Sequence, residues 1–212
     1  KIIFKGKSKL DKGIYSLVSQ QKSIYFDFFI DETTQNLQID TEYGPELIKK
    51  LNSTTSKKQN DFFEYIKYIN NEGADFQIWK QNLNAKTKKD SLQIFEKQKE
   101  FELKIQSKEE DFITLNKGSY IADVINLKRE KTLKNPPEAS NGRADSIVAF
   151  NYYKKHFWDD VNFKDEGIYK NPFFHIKIKK YLENVVYPHP DTLIVEVDKM
   201  IDEARIEKDR AV

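Results

Sequence analysis

Residues 57–83 read KKQNDFFEYIKYINNEGADFQIWKQNL and decide the fold of this chain. Their apolar side chains recur every three or four positions, which is the period of a helix that buries one face. The members of this pattern are Phe62, Ile66, Ile69, Phe76 and Leu83, with Trp79 beside them. Gly73 lies inside the run, where we expect a kink or a break. The pattern predicts a long helix that begins near Lys57.

A second periodic run begins after residues 84–87. It carries Leu92, Phe95, Phe101, Ile105 and Phe112. The two runs are similar in length and few residues join them, so together they predict a long antiparallel helical hairpin. A third helix is expected to start at Ser119, which would serve as its N-cap.

Upstream of the hairpin, the sequence has the pattern of β-strands. Residues 24–30 (IYFDFFI) are rich in aromatic and β-branched side chains, which favour strands. Further short strands are expected at residues 2–4, 13–18 and 37–41, with a turn at residues 31–34. These segments predict an antiparallel β meander, whose edges another element must cover. We expect this region to lack its first strand.

Downstream of the hairpin, residues 131–141 contain Asn135-Pro136-Pro137 and predict a loop. Helices are expected from about Asp145, after an N-cap at Asn171, and after the turn at residues 187–190. Asp191 or Thr192 would cap the last helix. We expect its apolar face to comprise Leu193, Ile194, Val197, Met200, Ile201 and Ala204. Residues 205–212 would form a linker.

These patterns predict an α+β chain in three parts. Residues 1–56 would form the β-rich domain, residues 57–130 the helical hairpin with the third helix, and residues 143–212 a C-terminal helical module ending in a linker. The chain has 212 residues, so it is long enough to bury a sizeable core.

The charge and hydropathy patterns indicate whether a nucleic acid or a membrane is an expected partner. The net charge is only +2, from 36 basic and 34 acidic residues that are mixed along the chain. Such mixing is typical of a solvated surface with many salt bridges, so we predict no nucleic-acid partner. No apolar run approaches the roughly 20 residues that span a bilayer, so we predict no transmembrane segment. We interpret the start at Lys1 as that of a trimmed or mature fragment.

Histidines and carboxylates offer the most plausible chemistry. His156, His175 and His189 have carboxylates nearby, which are Asp159, Asp160 and Asp191. No metal-binding spacing joins them, and the chain has no cysteine to act as a ligand or nucleophile. We therefore interpret the histidines as packing, surface and cap residues. Asp165 and Glu166 lack a calcium-loop pattern, and we expect an exposed acidic loop there.

Aromatic side chains could line a ligand groove near the predicted sheet. The candidates are Tyr25, Phe28, Phe29, Phe62, Phe63 and Tyr65. Core packing is the favoured interpretation, because phenylalanine is mostly buried in folded proteins. The sequence thus predicts no catalytic, cofactor-binding or metal-binding residue, and no cofactor.

Two stretches resemble a known arrangement of domains. The segments GIYSL (13–17), YFDFFI (25–30), NLQIDT (36–41) and NDFFEY (60–65) resemble a small β domain of unknown function. The segments HFWD (156–159), NPFF (171–174) and PHPD (188–191) resemble the helical module that follows it. Both precede the thioredoxin-like domain in TlpA/ResA-like thiol-disulfide oxidoreductases of the Gram-negative envelope.

The resemblance implies a non-catalytic accessory region of such an oxidoreductase. Its role would be to position the redox domain, to dimerise or to select partners. The implied partners are the C-terminal thioredoxin-like domain of the parent protein, a second copy of the chain and an envelope client protein. The implied location is the periplasm or cell envelope, with a lipid anchor as one option for the full-length protein. This chain would not be an enzyme, because dithiol chemistry requires a cysteine thiolate.

Two alternatives remain open at this point. One is a stand-alone envelope module that binds a peptide or small ligand on the aromatic sheet face. The other is a hydrolase that uses His156, Asp159 and Asp160, which would require a close histidine–carboxylate pair in a cleft.

Overall fold

The computed structural model describes residues 3, 5–20, 23–83 and 87–205. Short antiparallel strands at the N-terminus are followed by helices, so the predicted α+β class is confirmed. The chain divides into two compact units, Lys1–Ala122 and Asp123–Val212. The three-part division made from the sequence stays a prediction. The predicted strand at residues 2–4 includes Ile2 and Phe4, and the predicted linker includes residues 206–212; all of these lie outside the described residues.

The described strands of the first unit form two small sheets. Strand β1 (Gly13–Val18) pairs antiparallel with β2 (Ile24–Ile30), and β3 (Ile39–Asp40) pairs antiparallel with β4 (Asn52–Ser53). The sequence predicted a single meander instead. The β3 strand has only two residues, and its partner β4 carries no apolar alternation that would have predicted it.

The start of the first helix covers the open edge of β2. Helix α1 (Lys57–Leu83) packs Phe62 against Phe29 and Phe63 against Phe26, with ring centroids 5.9 and 6.3 Å apart. The side-chain Oε1 of Gln59, which is fully buried, accepts a hydrogen bond of 3.2 Å from the Phe29 N–H. The predicted need for a cover at the sheet edge is therefore met by α1.

The predicted hairpin is formed by α1 and α2 (Lys88–Leu115). A capping box starts α2: Thr87 Oγ1 accepts from the Asp90 N–H, and Asp90 Oδ2 accepts from the Thr87 N–H. Ring stacking between Phe76 and Phe101, at 5.2 Å, joins the two helices. Helix α1 is continuous through Gly73, so the expected break is absent. The predicted connection at residues 84–86 lies outside the described residues.

The remaining helices follow their predicted starts closely. They are α3 (Tyr120–Asn126), α4 (Ser146–Lys155), α5 (Pro172–Lys180) and α6 (Pro190–Ala204). Asn171 caps α5 through its side chain, as the sequence indicated. Asp145, near which a helix was expected to begin, caps α4 through its side chain. A π-helical turn, Tyr181–Val185, follows α5.

The predicted cap of α6 is wrong. His189 occupies the N-cap position without a side-chain hydrogen bond, and Pro190 is the first helical residue. Asp191 therefore lies within the first turn, where its negative charge favours the helix through the peptide dipoles rather than through a cap.

The core of the second unit centres on four buried residues that helices and turns bring together. They are Phe157, Tyr181, Val185 and Val186. Partly buried side chains pack around them, namely Tyr153, Trp158, Leu182, Leu193 and Met200. We call these nine residues the aromatic cluster; His156 and Asp159 adjoin its members Phe157 and Trp158 in the chain.

Candidate functional site

The structure brings three sequence-selected residues into one charged network. His156 lies at the C-cap of α4, and its Nδ1 is 2.7 Å from Asp159 Oδ2. Lys131, which the sequence did not single out, joins the two carboxylates: its Nζ is 2.9 Å from Asp160 Oδ1 and 3.6 Å from Asp159 Oδ2. A close histidine–carboxylate pair, which the hydrolase alternative requires, is therefore present in His156 and Asp159.

The charges of this network stabilise one another as ion pairs. The hydrogen bond from His156, with a contribution from Lys131, lowers the pKa of Asp159. The contact with Asp160 raises the pKa of Lys131, so the ammonium stays charged. The Asp159 carboxyl therefore stays ionised and serves as the partner of His156 and Lys131. The network can hold residues 156–160 against Lys131.

The other candidate residues have separate roles. Asp165 Oδ1 accepts from the Gly167 N–H at 2.9 Å and caps a short 3-10 helix, Glu166–Lys170. The expected acidic loop is therefore partly helical, which corrects the sequence interpretation. His175 is exposed on α5, and His189 Nδ1 is 3.7 Å from Asp191 Oδ2 at the start of α6. Among the described residues, no group of three or more histidines and carboxylates could hold a metal ion.

Lys177 is a buried charge that sequence reasoning missed. Its Nζ donates to the carbonyl oxygens of Leu127 and Arg129 and lies 4.9 Å from the centroid of the Phe157 ring. Burial lowers its pKa. Three lysines at positions 177, 179 and 180 look equivalent in the sequence, and no local signal distinguishes the one that turns inward.

A second polar contact lies inside the same core. Tyr181 donates its hydroxyl hydrogen to Glu196 Oε2 at 2.9 Å, which ties the π-helical turn to α6. Burial, together with the Glu196 carboxylate, raises the pKa of Tyr181 to about 12. The phenol therefore stays protonated at neutral pH and acts as a donor.

A groove of about 230 Å³ lies between α1 and α2. The stacked rings of Phe76 and Phe101 are part of its lining. Lys104 pairs with Glu72 at 3.3 Å, and Lys97 pairs with Glu100 at 2.9 Å. The first pair links α2 to α1, and the second lies within α2. Asp75 also lines the groove, so the lining carries three acidic and two basic side chains.

The aromatic candidates near the sheet divide into core and surface residues. Phe29, Phe62, Phe63 and Tyr65 are buried. Tyr65 also donates to the buried carboxylate of Glu109 at 3.0 Å, and burial raises its pKa. Only Tyr25 and Phe28 remain partly accessible, so most of the proposed groove is core, as the sequence favoured.

The last helix exposes part of its predicted apolar face. Leu193 and Met200 pack against the aromatic cluster, but Ile194 and Ile201 are 58% and 48% exposed. These two lie seven residues apart, so they project from the same side of α6 with Asp198 between them. We call this set, Ile194, Asp198 and Ile201, the α6 surface. The apolar face predicted for α6 is therefore only partly covered: Leu193 and Met200 pack inward, while Ile194 and Ile201 stay exposed.

Within the part of the chain that the structure describes, no helix is long and apolar enough to cross a membrane. A family model described as "Domain of unknown function (DUF5106)" matches residues 97–212, which is more than half of the chain. No curated protein and no solved structure matches.

Proposed function

The chain belongs to the DUF5106 family, and we propose that it acts there as the non-catalytic accessory region of a thioredoxin-like thiol-disulfide oxidoreductase of the cell envelope. In this role it positions the redox domain that follows it in the parent protein. The resemblance of the β-domain and helical-module segments supports the proposal. The chain has no cysteine, so the thiolates would come from that following domain.

The α6 surface is the observation that carries this proposal. Isolated apolar side chains are common on protein surfaces, but here two isoleucines extend the partly buried face of an amphipathic helix. A domain attached after α6 would be held at a high effective concentration near them. Burial of both isoleucines would then fix its orientation.

The first experiment determines the sequence that the parental reading frame encodes after Val212. A Cys-x-x-Cys after a strand pattern is the expected result. The second compares amide hydrogen exchange of residues 190–204 in the 212-residue chain and in the protein that includes the following domain. We expect stronger protection of these amides in the longer protein.

A matched pair of variants makes the comparison specific. Ile194→Asp combined with Ile201→Asp should abolish the added protection. Val195→Asp is the control, because Val195 is also exposed but lies about 100° away around the helix. Equal protection in the short and long proteins would overturn the positioning role.

A stand-alone envelope module that binds a peptide or small ligand is the second candidate. Its supporting observation is the pair of ring contacts at the sheet surface: Tyr15 stacks on Phe28, and Tyr25 meets the exposed Tyr43, each at 5.9 Å. A stop codon soon after Val212 would favour this candidate. Ligand-induced NMR shifts confined to these four rings would then support it.

A further inference from the structure

Helix α2 is apolar on two opposite faces. Its inner face, with Phe101 and Phe112, packs on α1. On the opposite side lie Leu92, Phe95 and Leu103, which are 59, 67 and 57% exposed. At 100° per residue these three fall within about 80° of one another. We call this set, together with Glu96 and Lys99, the α2 outer stripe.

The charges in the stripe differ from those beside the groove. Lys97, Glu100 and Lys104 are engaged in ion pairs. Glu96 and Lys99 are exposed, and among the described residues neither has an ion-pair partner. The stripe therefore holds one negative and one positive group that are both available to another molecule.

The spacing of these groups is self-complementary. Consider an antiparallel pair of α2 helices with a twofold axis between residues 97 and 98. A residue that lies a given number of positions before the axis then faces, in the second copy, the residue that lies the same number of positions after it. Leu92 then faces Leu103 of the second copy, and Glu96 faces Lys99. Each contact occurs twice because of the symmetry.

Phe95 fits the same register. The twofold axis keeps the two Phe95 rings on the same side of the helix pair, and they lie about 8 Å apart along it. Both rings can therefore pack beside the central ion pairs. A register shifted by three residues, with the twofold axis at Lys99, would instead bring the two Lys99 ammonium groups together, which costs free energy.

We infer that two copies of this chain associate through the α2 outer stripe, antiparallel, with Glu96 of each copy paired to Lys99 of the other. We assign the α2 outer stripe to a second copy of the chain because Glu96 and Lys99 are complementary in charge to the same two residues read in the opposite direction. This association does not rest on the accessory role.

The expected strength follows from the size of the contact. Leu92 and Leu103 are about 16 Å apart along the helix, which is three turns. A contact of this length is smaller than a standard interface, so the dimer should dissociate on dilution and shift with concentration. Sedimentation equilibrium of the 212-residue chain, from low micromolar to several hundred micromolar, measures this.

Charge reversal tests the register. Glu96→Lys alone and Lys99→Glu alone each place like charges at both central pairs, and each should weaken self-association about tenfold or more. An equimolar mixture of the two variants restores both attractive pairs, so it should form heterodimers at least as strong as the wild-type dimer. Lys80→Glu, an exposed site on α1, is the control and should leave association unchanged.

Two results would overturn the inference. One is a wild-type chain that stays monomeric over the whole concentration range. The other is a mixture of the two variants that associates no better than either alone, which would exclude this register. Neither result bears on the α6 surface, which is tested with a longer protein.

Discussion

Lys177 Nζ lies 3.1 Å from the carbonyl oxygen of Leu127, on a side chain that is only 7% exposed. The same Nζ reaches the carbonyl of Arg129 at 3.2 Å. Both carbonyls belong to the segment just after α3, where the chain leaves the helix and its backbone acceptors need donors from elsewhere. Lys177 therefore ties α5 to the end of α3 through a buried charge.

Replacing Lys177 should destabilise the second unit. In Lys177→Met the two carbonyls lose their donor while the packing volume is kept, and we expect a loss of about 1–3 kcal/mol in the free energy of unfolding. Urea denaturation measures the loss. Lys179→Met is the control, because its side chain is exposed, and it should change stability by less than about 0.5 kcal/mol. Equal effects would mean that water satisfies both carbonyls.

Gln59 should protect the open edge of β2. Gln59→Met removes the acceptor for the Phe29 N–H, so that amide should exchange its hydrogen faster. We expect a stability loss of about 1 kcal/mol, at the lower end of the range for a buried hydrogen bond, because Gln59 Nε2 has no partner among the described residues and its removal offsets part of the loss. Gln77→Met, on the exposed side of α1, is the control. Unchanged exchange at Phe29 would contradict the edge-capping role.

Asp31 should make the first unit sensitive to acid. Burial acts to raise its pKa, but hydrogen bonds from Thr33 and Thr34 outweigh burial, and the net pKa is lowered. A lowered folded-state pKa stabilises the fold above the unfolded value of 3.8, and this contribution is lost as the pH falls through the folded pKa.

The test compares Asp31→Asn with the parent chain across pH. At neutral pH the variant should be less stable by about 1 kcal/mol, since charge-assisted hydrogen bonds are replaced by neutral ones. The difference should shrink below pH 4. Glu32→Gln, at the exposed neighbour that pairs with Lys12 at 3.6 Å, is the control for removing a surface carboxylate. A difference that is independent of pH would exclude the carboxylate as the cause.

Trp158 should be a principal packing residue of the second unit. Its ring contacts those of Phe157, Phe163 and Tyr181 at centroid distances of 4.8, 5.3 and 5.0 Å. Because the ring is only partly buried, Trp158→Ala should cost about 3 kcal/mol, the low end for such a truncation. Trp158→Phe should cost less. A loss under about 1 kcal/mol in chemical denaturation would show that Trp158 is free to contact a partner.

Much of the helical part follows from local sequence. The apolar period between Lys57 and Leu83 predicted α1 closely, Asn171 caps α5 as predicted, and α4 begins next to Asp145 as expected. These features depend on neighbours along the chain, which is why they could be read directly. The cap of α6 could not be read in this way. His189, Asp191 and Thr192 lie within four residues and compete for the N-cap position, and Pro190, as the first helical residue, gives that position to His189.

The sequence predicted only some of the residues that meet in the candidate site. His156 and Asp159 are one helical turn apart, so their contact is local and could be anticipated. Lys131 reaches the same carboxylates from about 30 residues away. Such a contact depends on how the loop after α3 packs near the aromatic cluster. No local sequence signal distinguishes Lys131 from the other lysines of the chain.

The sequence by itself determined the α+β class, the hairpin and the side-chain cap of α5, because the period of apolar residues and the chemistry of helix ends act over a few residues. The tertiary structure alone decided which apolar faces are covered. The isoleucines of α6 and the outer leucines of α2 have the same pattern as core residues, and they stay exposed because each unit offers its helix one packed face. Burial is a property of the surroundings of a side chain, and a one-dimensional pattern does not contain them.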